Sequence, residues 1–565
     1  MTTPQPGAAS PPEHTGAPAG GPVAATSKPA HSPWLVLFVL CLGFFMILLD
    51  TTIVNIAIPD MIDRLHASLD QILWVLNAYI LVYAVLLITA GRLGDLYGPK
   101  LLFMLGLAIF TLASAACGFA TTPGQLIAAR VAQGLGGALL TPQTLSVLTV
   151  IFPPAKRGAA FGIWGAVAGV ATVAGPTLGG FIVTHWGWSW IFFVNLPIGV
   201  LALVLAAVAM PDLKLNRRHR LDLVGTVLAT VGLFLLTYGL IEGQPHDWGK
   251  VWGPVTIPEV IVAGVAVLAV FVVQQYLQRG GEPLVPFAIF RDRNFSVMNF
   301  VGAALGFGML GLFLPLVIFL QSVLGLSALQ AGLTTAPMSL VSMFVAPVAG
   351  RMADRIGGKY ILMSGLALFA AGMGIFVAST HPDSTRLHLL PGILVAGLGM
   401  GLTFAPLQTV AMRNIEPRMA GAASGLINTT RQLGSVIGSA AVGALLQNQL
   451  ATRLSESAQA HAAALPAQFR ERFVAGFSHA SGGGLEVGAG QNGVDFGGNV
   501  PDAVRTVIAD TFHVGFTNAM HTTLVLPIAI LGLAALSCLI VKRRRAAGQP
   551  GTGATTTEVE APASA

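Results

Sequence analysis

Ten residues, Gly91-Arg92-Leu93-Gly94-Asp95-Leu96-Tyr97-Gly98-Pro99-Lys100, form a polar island between two long apolar runs. The same design returns at Gly350-Arg351-Met352-Ala353-Asp354-Arg355-Ile356-Gly357-Gly358-Lys359, where Gly, Arg, Asp, Gly and Lys match at a constant offset of 259 residues. A second echo follows: Gly158-Ala159-Ala160-Phe161-Gly162-Ile163 reappears as Gly421-Ala422-Ala423-Ser424-Gly425-Leu426, offset by 263. Two matches in one order and at nearly one offset are more than 67 glycines produce by composition. The chain is a duplicated unit, and each copy has to build an equivalent half.

The halves are apolar. Of 565 residues 54% are hydrophobic and 10% charged, with mean hydropathy +0.74, whereas a soluble domain carries about 25% charged residues. Most of the chain therefore faces lipid or other helices, and duplicated bundles of apolar helices are the build of secondary transporters. The net charge of +6 is spread over short loops, so there is no nucleic-acid patch. Cys41, Cys117 and Cys538 all fall inside apolar runs and read as small buried hydrophobes, not as disulfide or metal ligands. Residues 1–32, rich in Pro, Ala, Gly and Ser, read as a disordered tail. They do not resemble a signal peptide, because the run from Trp34 to Ile58 is long enough to span a bilayer.

By a ruler of about 20 apolar residues per span, helices are expected near 34–58, 70–91, 101–120, 123–150, 159–183, 190–210, 222–242, 254–277, 295–323, 328–350, 359–380, 389–412, 421–447 and 513–541. That makes fourteen, with both termini on one side. One set of loops collects Arg92, Lys100, Lys156, Arg157, Lys214, Arg217, Arg218, Arg220, Arg279, Arg291, Arg293, Arg351, Arg355, Lys359, Arg413 and Arg418, together with Lys542 to Arg545. The opposite short loops hold Arg64, Lys250 and Arg386. The basic side is the inside, so both tails are expected in the cytoplasm and the chain in the inner (plasma) membrane. The fold expected is an all-α integral membrane protein of two six-helix bundles, 33–212 and 294–541, with an inserted helix pair and its flanking loops at 213–293. A cytoplasmic tail at 542–565 closes the chain. Residues 448–512 form one long external loop, its first part (Gln449 to Phe477) an amphipathic helical piece and its second, through Gly482-Gly483-Gly484 and Gly497-Gly498, flexible.

Ionisable groups within spanning helices are costly and each is a functional candidate. Asp50 lies in the first span, Arg130 in the fourth, and Arg431 in the thirteenth. With a rise of about 1.5 Å per residue, Asp50 lies roughly 12 Å and Arg130 roughly 10 Å below the outer surface. Two opposite charges at one level are able to meet across a central cavity. They form either a fixed ion pair joining two helices or a site where Asp50 takes and releases a proton. Asn55, Gln133 and Arg431 are candidates for lining a cavity. In the fifth span, Gly175-Pro176-Thr177-Leu178-Gly179-Gly180 combines close-packing glycines with a proline that disfavours a straight helix. The island carboxylates Asp95 and Asp354 are placed to cap free amides of a neighbouring helix and latch the cytoplasmic mouth. The static alternative is a turn shaped by Gly91, Gly98, Gly350 and Gly357, with Lys100 and Arg355 setting orientation.

On these residues the chain resembles the major facilitator superfamily and, within it, the fourteen-helix drug/proton antiporters of the QacA/EmrB type. The likeness covers roughly residues 34–541. The island 91–100 matches the loop signature G-x-L-x-D-x-x-G-x-K, departing at Leu96 and Pro99, where basic residues are frequent. Leu49 to Pro59 is similar to the first-helix signature of this branch, with Asp50 at its acidic position. Arg130 falls on the fourth-helix arginine tied to proton coupling. Residues 175–180 match the antiporter core G-P-x-x-G-G, with Ala171 where glycine is usual.

The resemblance implies alternating access by two rocking bundles that exchange protons for an outgoing solute. No cofactor is needed, because the proton gradient is the energy source. It further implies a lipophilic, often cationic small-molecule substrate, contact with membrane lipid, and a monomer. An exporter of one natural product or lipid, or a proton-coupled uptake symporter, would share the fold. A membrane-embedded enzyme is disfavoured, since no two acids or histidines fall together in the core helices.

Overall fold

The computed structural model describes residues 32–542 except 68, 214–221, 244–245, 279–282, 417–418, 466–469, 472, 476 and 478–501. Both tails, the Gly-rich part of the long loop, and Lys214, Arg217, Arg218, Arg220, Arg279 and Arg418 lie outside the described residues.

The described chain is almost entirely helical. In order it forms α1 (Pro33–Ile53), a 3-10 turn (Val54–Ala57), α2 (Ile58–Leu65), α3 (Leu69–Tyr97), α4 (Pro99–Gly118), α5 (Pro123–Ile151) and α6 (Arg157–Trp186). Next come α7 (Trp190–Phe193), α8 (Asn195–Ala209), α9 (Leu223–Glu242), a hairpin of β1 (Lys250–Trp252) and β2 (Val255–Thr256), and α10 (Ile257–Leu277). The second half holds α11 (Arg293–Ile318), which ends in a π turn (Phe319–Val323), then α12 (Ala328–Ile356), α13 (Gly358–Ser379) and α14 (Arg386–Ala411). It closes with α15 (Ala420–His461) and α16 (Asp502–Ser537).

Helix ends follow local chemistry. The Thr122 side chain caps α5, and Ser327 with Gln330 forms a reciprocal capping box on α12. Between α3 and α4, and again between α12 and α13, the chain reverses at a single glycine with φ of 93° at Gly98 and 89° at Gly357. Side chains rarely adopt that conformation, so each island needs glycine there.

Twelve described helical stretches are long and apolar enough to cross a membrane. The other two long helices of the expected fourteen, α6 and α15, are rich in Gly, Ala, Ser and Thr. Helix α6 packs on α12 and α15 packs on α3, so these are the helices that meet the other bundle. Small residues let backbones approach there: a Cβ on Gly162 would stand 2.6 Å from the Ala346 carbonyl oxygen, and one on Gly425 2.7 Å from that of Leu87.

The inserted pair α9–α10 lies against both α3 and α15. Its apolar cluster joins Leu81, Val85 and Ile88 of α3 with Leu233 and Phe271, and Leu426 and Leu433 of α15 pack onto it.

The long loop is shorter than its sequence suggests, because α15 continues to His461 and α16 begins at Asp502. At about 1.5 Å per residue the 42-residue α15 outruns a bilayer. On its far end Leu450, Leu454 and Ala458 are buried, as are Phe512 and Phe516 of α16, against which α15 packs, and Phe473 and Phe477 belong to the same apolar cluster. His513 and His521 lie inside α16.

Candidate functional site

Helix α1 is apolar on every side, and one acid interrupts it: Asp50 is fully buried. Helix α5 brings Arg130 and Gln133 to it from one face, three residues apart. Arg130 Nη1 donates to Asp50 Oδ2 and also to Gln133 Oε1 at 2.7 Å. The Gln133 Nε2 donates to Asp50 Oδ1 at 2.8 Å, so both carboxylate oxygens are engaged. Arg130 Nε donates to the Val75 carbonyl at 3.0 Å, and its guanidinium lies over the Tyr79 ring, 4.2 Å from the centroid. Beyond Gln133, Ser114 of α4 accepts from Gln133 and from Asn195 and donates to the Phe192 carbonyl at 2.9 Å.

Of the arrangements expected for this pair, the structure shows direct contact: Asp50 and Arg130 join α1 to α5 inside the first bundle. A buried pair survives only when its remaining donors and acceptors are satisfied. Gln133, Val75 and Tyr79 supply that satisfaction.

The second constellation joins the bundles. Asp95, at the end of α3, accepts from the backbone amides of Gly421 and Ala422, both at 2.8 Å. Asp354, at the end of α12, accepts from those of Gly158 at 2.8 Å and Ala159 at 3.0 Å. Each island carboxylate therefore binds the first turn of the other half's helix, where free amides and the positive end of the helix dipole coincide. The two sequence echoes are the two sides of these contacts. Gly91 and Gly421, and likewise Gly158 and Gly350, approach so closely that a Cβ on any of them would collide with the partner's backbone.

The island lysines act locally. Lys100 Nζ donates to the Ala207 and Met210 carbonyls at 2.8 and 2.7 Å, closing the end of α8. Lys359 Nζ does the same for Leu539 and Val541 after α16, at 2.6 and 2.9 Å. Arg355 is exposed on the last turn of α12.

In α6, Gly175 and Gly179 pack against Thr52 and Ile53 of α1, and Gly180 has Leu329 as its neighbour. The helix runs on through Pro176, whose side chain lies outside the described set. Asn55 is exposed on the 3-10 turn and donates to the Thr51 carbonyl at 2.9 Å, apart from the ion pair. Arg431 is half-buried in α15 and donates to Asn428 Oδ1 at 3.4 Å.

Tyr79, Ser114 and Asn195 were missed by the sequence reading. Uncharged polar side chains in apolar helices are common, and only their place in the network that extends from Arg130 and Gln133 marks these three. Gly421 and Ala422 were visible as a repeat, but not as the acceptors' partners.

The sequence profile of the Major Facilitator Superfamily matches residues 40–439. The chain belongs to this superfamily. Among curated superfamily members, the multidrug resistance protein Stp of Mycobacterium tuberculosis is 37% identical over 421 residues, covering 74% of this chain and 77% of that protein. The tetracenomycin C resistance and export protein of Streptomyces glaucescens is 36% identical over 422 residues, covering 74% and 77%. The solved structure of the proton:xylose symporter XylE superposes with a TM-score of 0.55 at 14% identity, over 89% of this chain and 94% of that one. That likeness concerns the fold. The match makes the chain a membrane transporter and not an enzyme.

Proposed function

We propose that this transporter is a proton-coupled antiporter that exports lipophilic small molecules by alternating access. It would sit in the plasma membrane with both termini and both islands on the cytoplasmic side, and work as a monomer without a cofactor. The observation that carries the reading is the fully buried Asp50, whose two oxygens are held by Arg130 and Gln133.

A contacting guanidinium favours the ionised form of any carboxyl group, and its withdrawal favours the protonated form. Rearrangement of one bundle thus loads or unloads a proton. The interbundle contacts of Asp95 and Asp354 hold the cytoplasmic mouth closed, and they break when it opens. Each proton entering carries about 2.3 kcal/mol per 100 mV, enough to drive a solute outward uphill. Export is favoured over uptake by the helix α6 glycine pattern and by the relatives named for resistance and export.

The test is dye and antibiotic movement in everted vesicles under an imposed pH gradient. Asp50→Asn is expected to abolish gradient-driven accumulation while leaving gradient-independent exchange. Undiminished proton-coupled transport in Asp50→Asn would remove this residue from the mechanism.

A further inference from the structure

Among the described residues three acidic or basic side chains lie deep in the spanning helices, and two of them, Asp50 and Arg130, neutralise each other. Arg431 is the third. Counting from the start of α15 at about 1.5 Å per residue, it stands roughly 16 Å into the helix, near the middle of a bilayer about 30 Å thick. Among the described residues its guanidinium makes one hydrogen bond, to Asn428 Oδ1 at 3.4 Å, and no ion pair. It is half-buried and within electrostatic reach of Tyr83 on α3, so it lies at the seam between the bundles. The polar side chains beside it in the sequence of α15 are uncharged. Asn428 is buried, and Thr430 donates to Asn299 Oδ1 at 3.2 Å.

A guanidinium stays charged at any physiological pH and presents a planar fork of five donors. At mid-depth in a membrane such a charge is retained where it meets a counter-charge. Asp50 does not serve, because Arg130 and Gln133 already occupy its oxygens.

We propose that the missing counter-charge belongs to the solute. The transported molecule is a lipophilic anion, with a carboxylate or acidic phenolate that Arg431 engages at the seam. This replaces the cationic preference expected from sequence resemblance, and it rests on the transport reading above. Such a solute also suits the energetics. With a proton entering and an anion leaving, the membrane potential acts on both movements in the favourable direction.

The test is equilibrium binding to the full chain in lipid nanodiscs, with no gradient imposed, using two dyes built on one xanthene ring system. Fluorescein is the anion and a rhodamine ester the cation. Fluorescein is expected to bind the parent protein more tightly than the rhodamine ester. Arg431→Gln should weaken fluorescein binding about tenfold or more and leave the rhodamine ester unchanged or tighter. Arg431→Lys, which keeps the charge and loses the fork, should fall between and guards against misfolding of the glutamine variant. Preference for the rhodamine ester, no fluorescein binding, or equal fluorescein binding by parent and Arg431→Gln each overturns the proposal. Because no gradient is used, failure here is separate from failure of proton coupling, which Asp50→Asn reports.

Discussion

The two bundles repeat one another in packing and differ in chemistry. In the first, Gly136 of α5 packs on Gly106 and Phe110 of α4. In the second, Gly399 of α14 packs on Gly365 and Phe369 of α13. This register sets Ile393 and Ala396 opposite Arg130 and Gln133, and Met373 and Phe376 opposite Ser114 and Cys117. The second bundle has no charge in that slot. Met373, Phe376, Ile393 and Ala396, with Leu312 and Leu316 of α11, line an apolar cavity of about 10 Å³, room for one water-sized sphere. Duplication kept the backbone contacts in both halves and left buried charge in one. A buried ion pair is a poor way to gain stability, so its presence in one bundle and not the other is what the proposed proton coupling would require of that bundle.

The sharpest way to break this comparison is to unbalance the polar slot. Arg130→Ala leaves Asp50 buried without its counter-charge and should cost about 3–5 kcal/mol, read as a lower unfolding midpoint in detergent. Copying the apolar slot with Asp50→Leu, Arg130→Ile and Gln133→Ala together should recover most of that loss, while gradient-driven transport stays absent. If the triple variant is as unstable as Arg130→Ala, the two slots are not equivalent in packing.

The converse substitution comes next in size. Met373→Ala enlarges the apolar cavity and should destabilise by roughly 3 kcal/mol. The pH dependence of transport should not move, since no titrating group faces that cavity. A shifted pH profile would show that the second bundle shares in coupling.

Much of this contrast was legible in sequence, and some was not. Asp50, Arg130 and both islands stand out because charges are scarce in apolar helices, and the offsets of 259 and 263 exposed the duplication. What sequence could not supply is pairing between copies. The repeat reads as two similar halves, but Asp95 binds the Gly421 turn and Asp354 the Gly158 turn, each reaching across to the other half. The far end of α15 was read as an amphipathic helical piece within the external loop and that of α16 as loop, since helices that leave the membrane lose the apolar run by which spans are recognised.

The two latches offer a finer comparison. Asp95 is buried, whereas Asp354 is half-exposed to water. A hydrogen bond to a charged group contributes about 1.5–3 kcal/mol, and less where solvent competes. Asp95→Asn should therefore shift the population toward an open island end by about tenfold, or roughly 1.4 kcal/mol, and Asp354→Asn by less. Spin labels on the loops flanking the islands would read the shift as a longer distance. Equal shifts would mean that exposure does not separate the two.

The smallest expected effect separates the lysine from the aspartate within one island. The last carbonyls of a helix lack intrahelical donors, and a cation there also opposes the helix dipole. Lys100 and Lys359 meet those carbonyls within their own bundles, after α8 and after α16. Lys100→Gln and Lys359→Gln should each cost about 0.5–1 kcal/mol of stability without lengthening the spin-label distance at the island end. The two sites lie in different bundles and share no partner, so the double variant should be additive within about 0.5 kcal/mol. A lysine variant that opens the mouth as Asp95→Asn does would mean that the cap and the latch are one device, and that the islands act as whole loops.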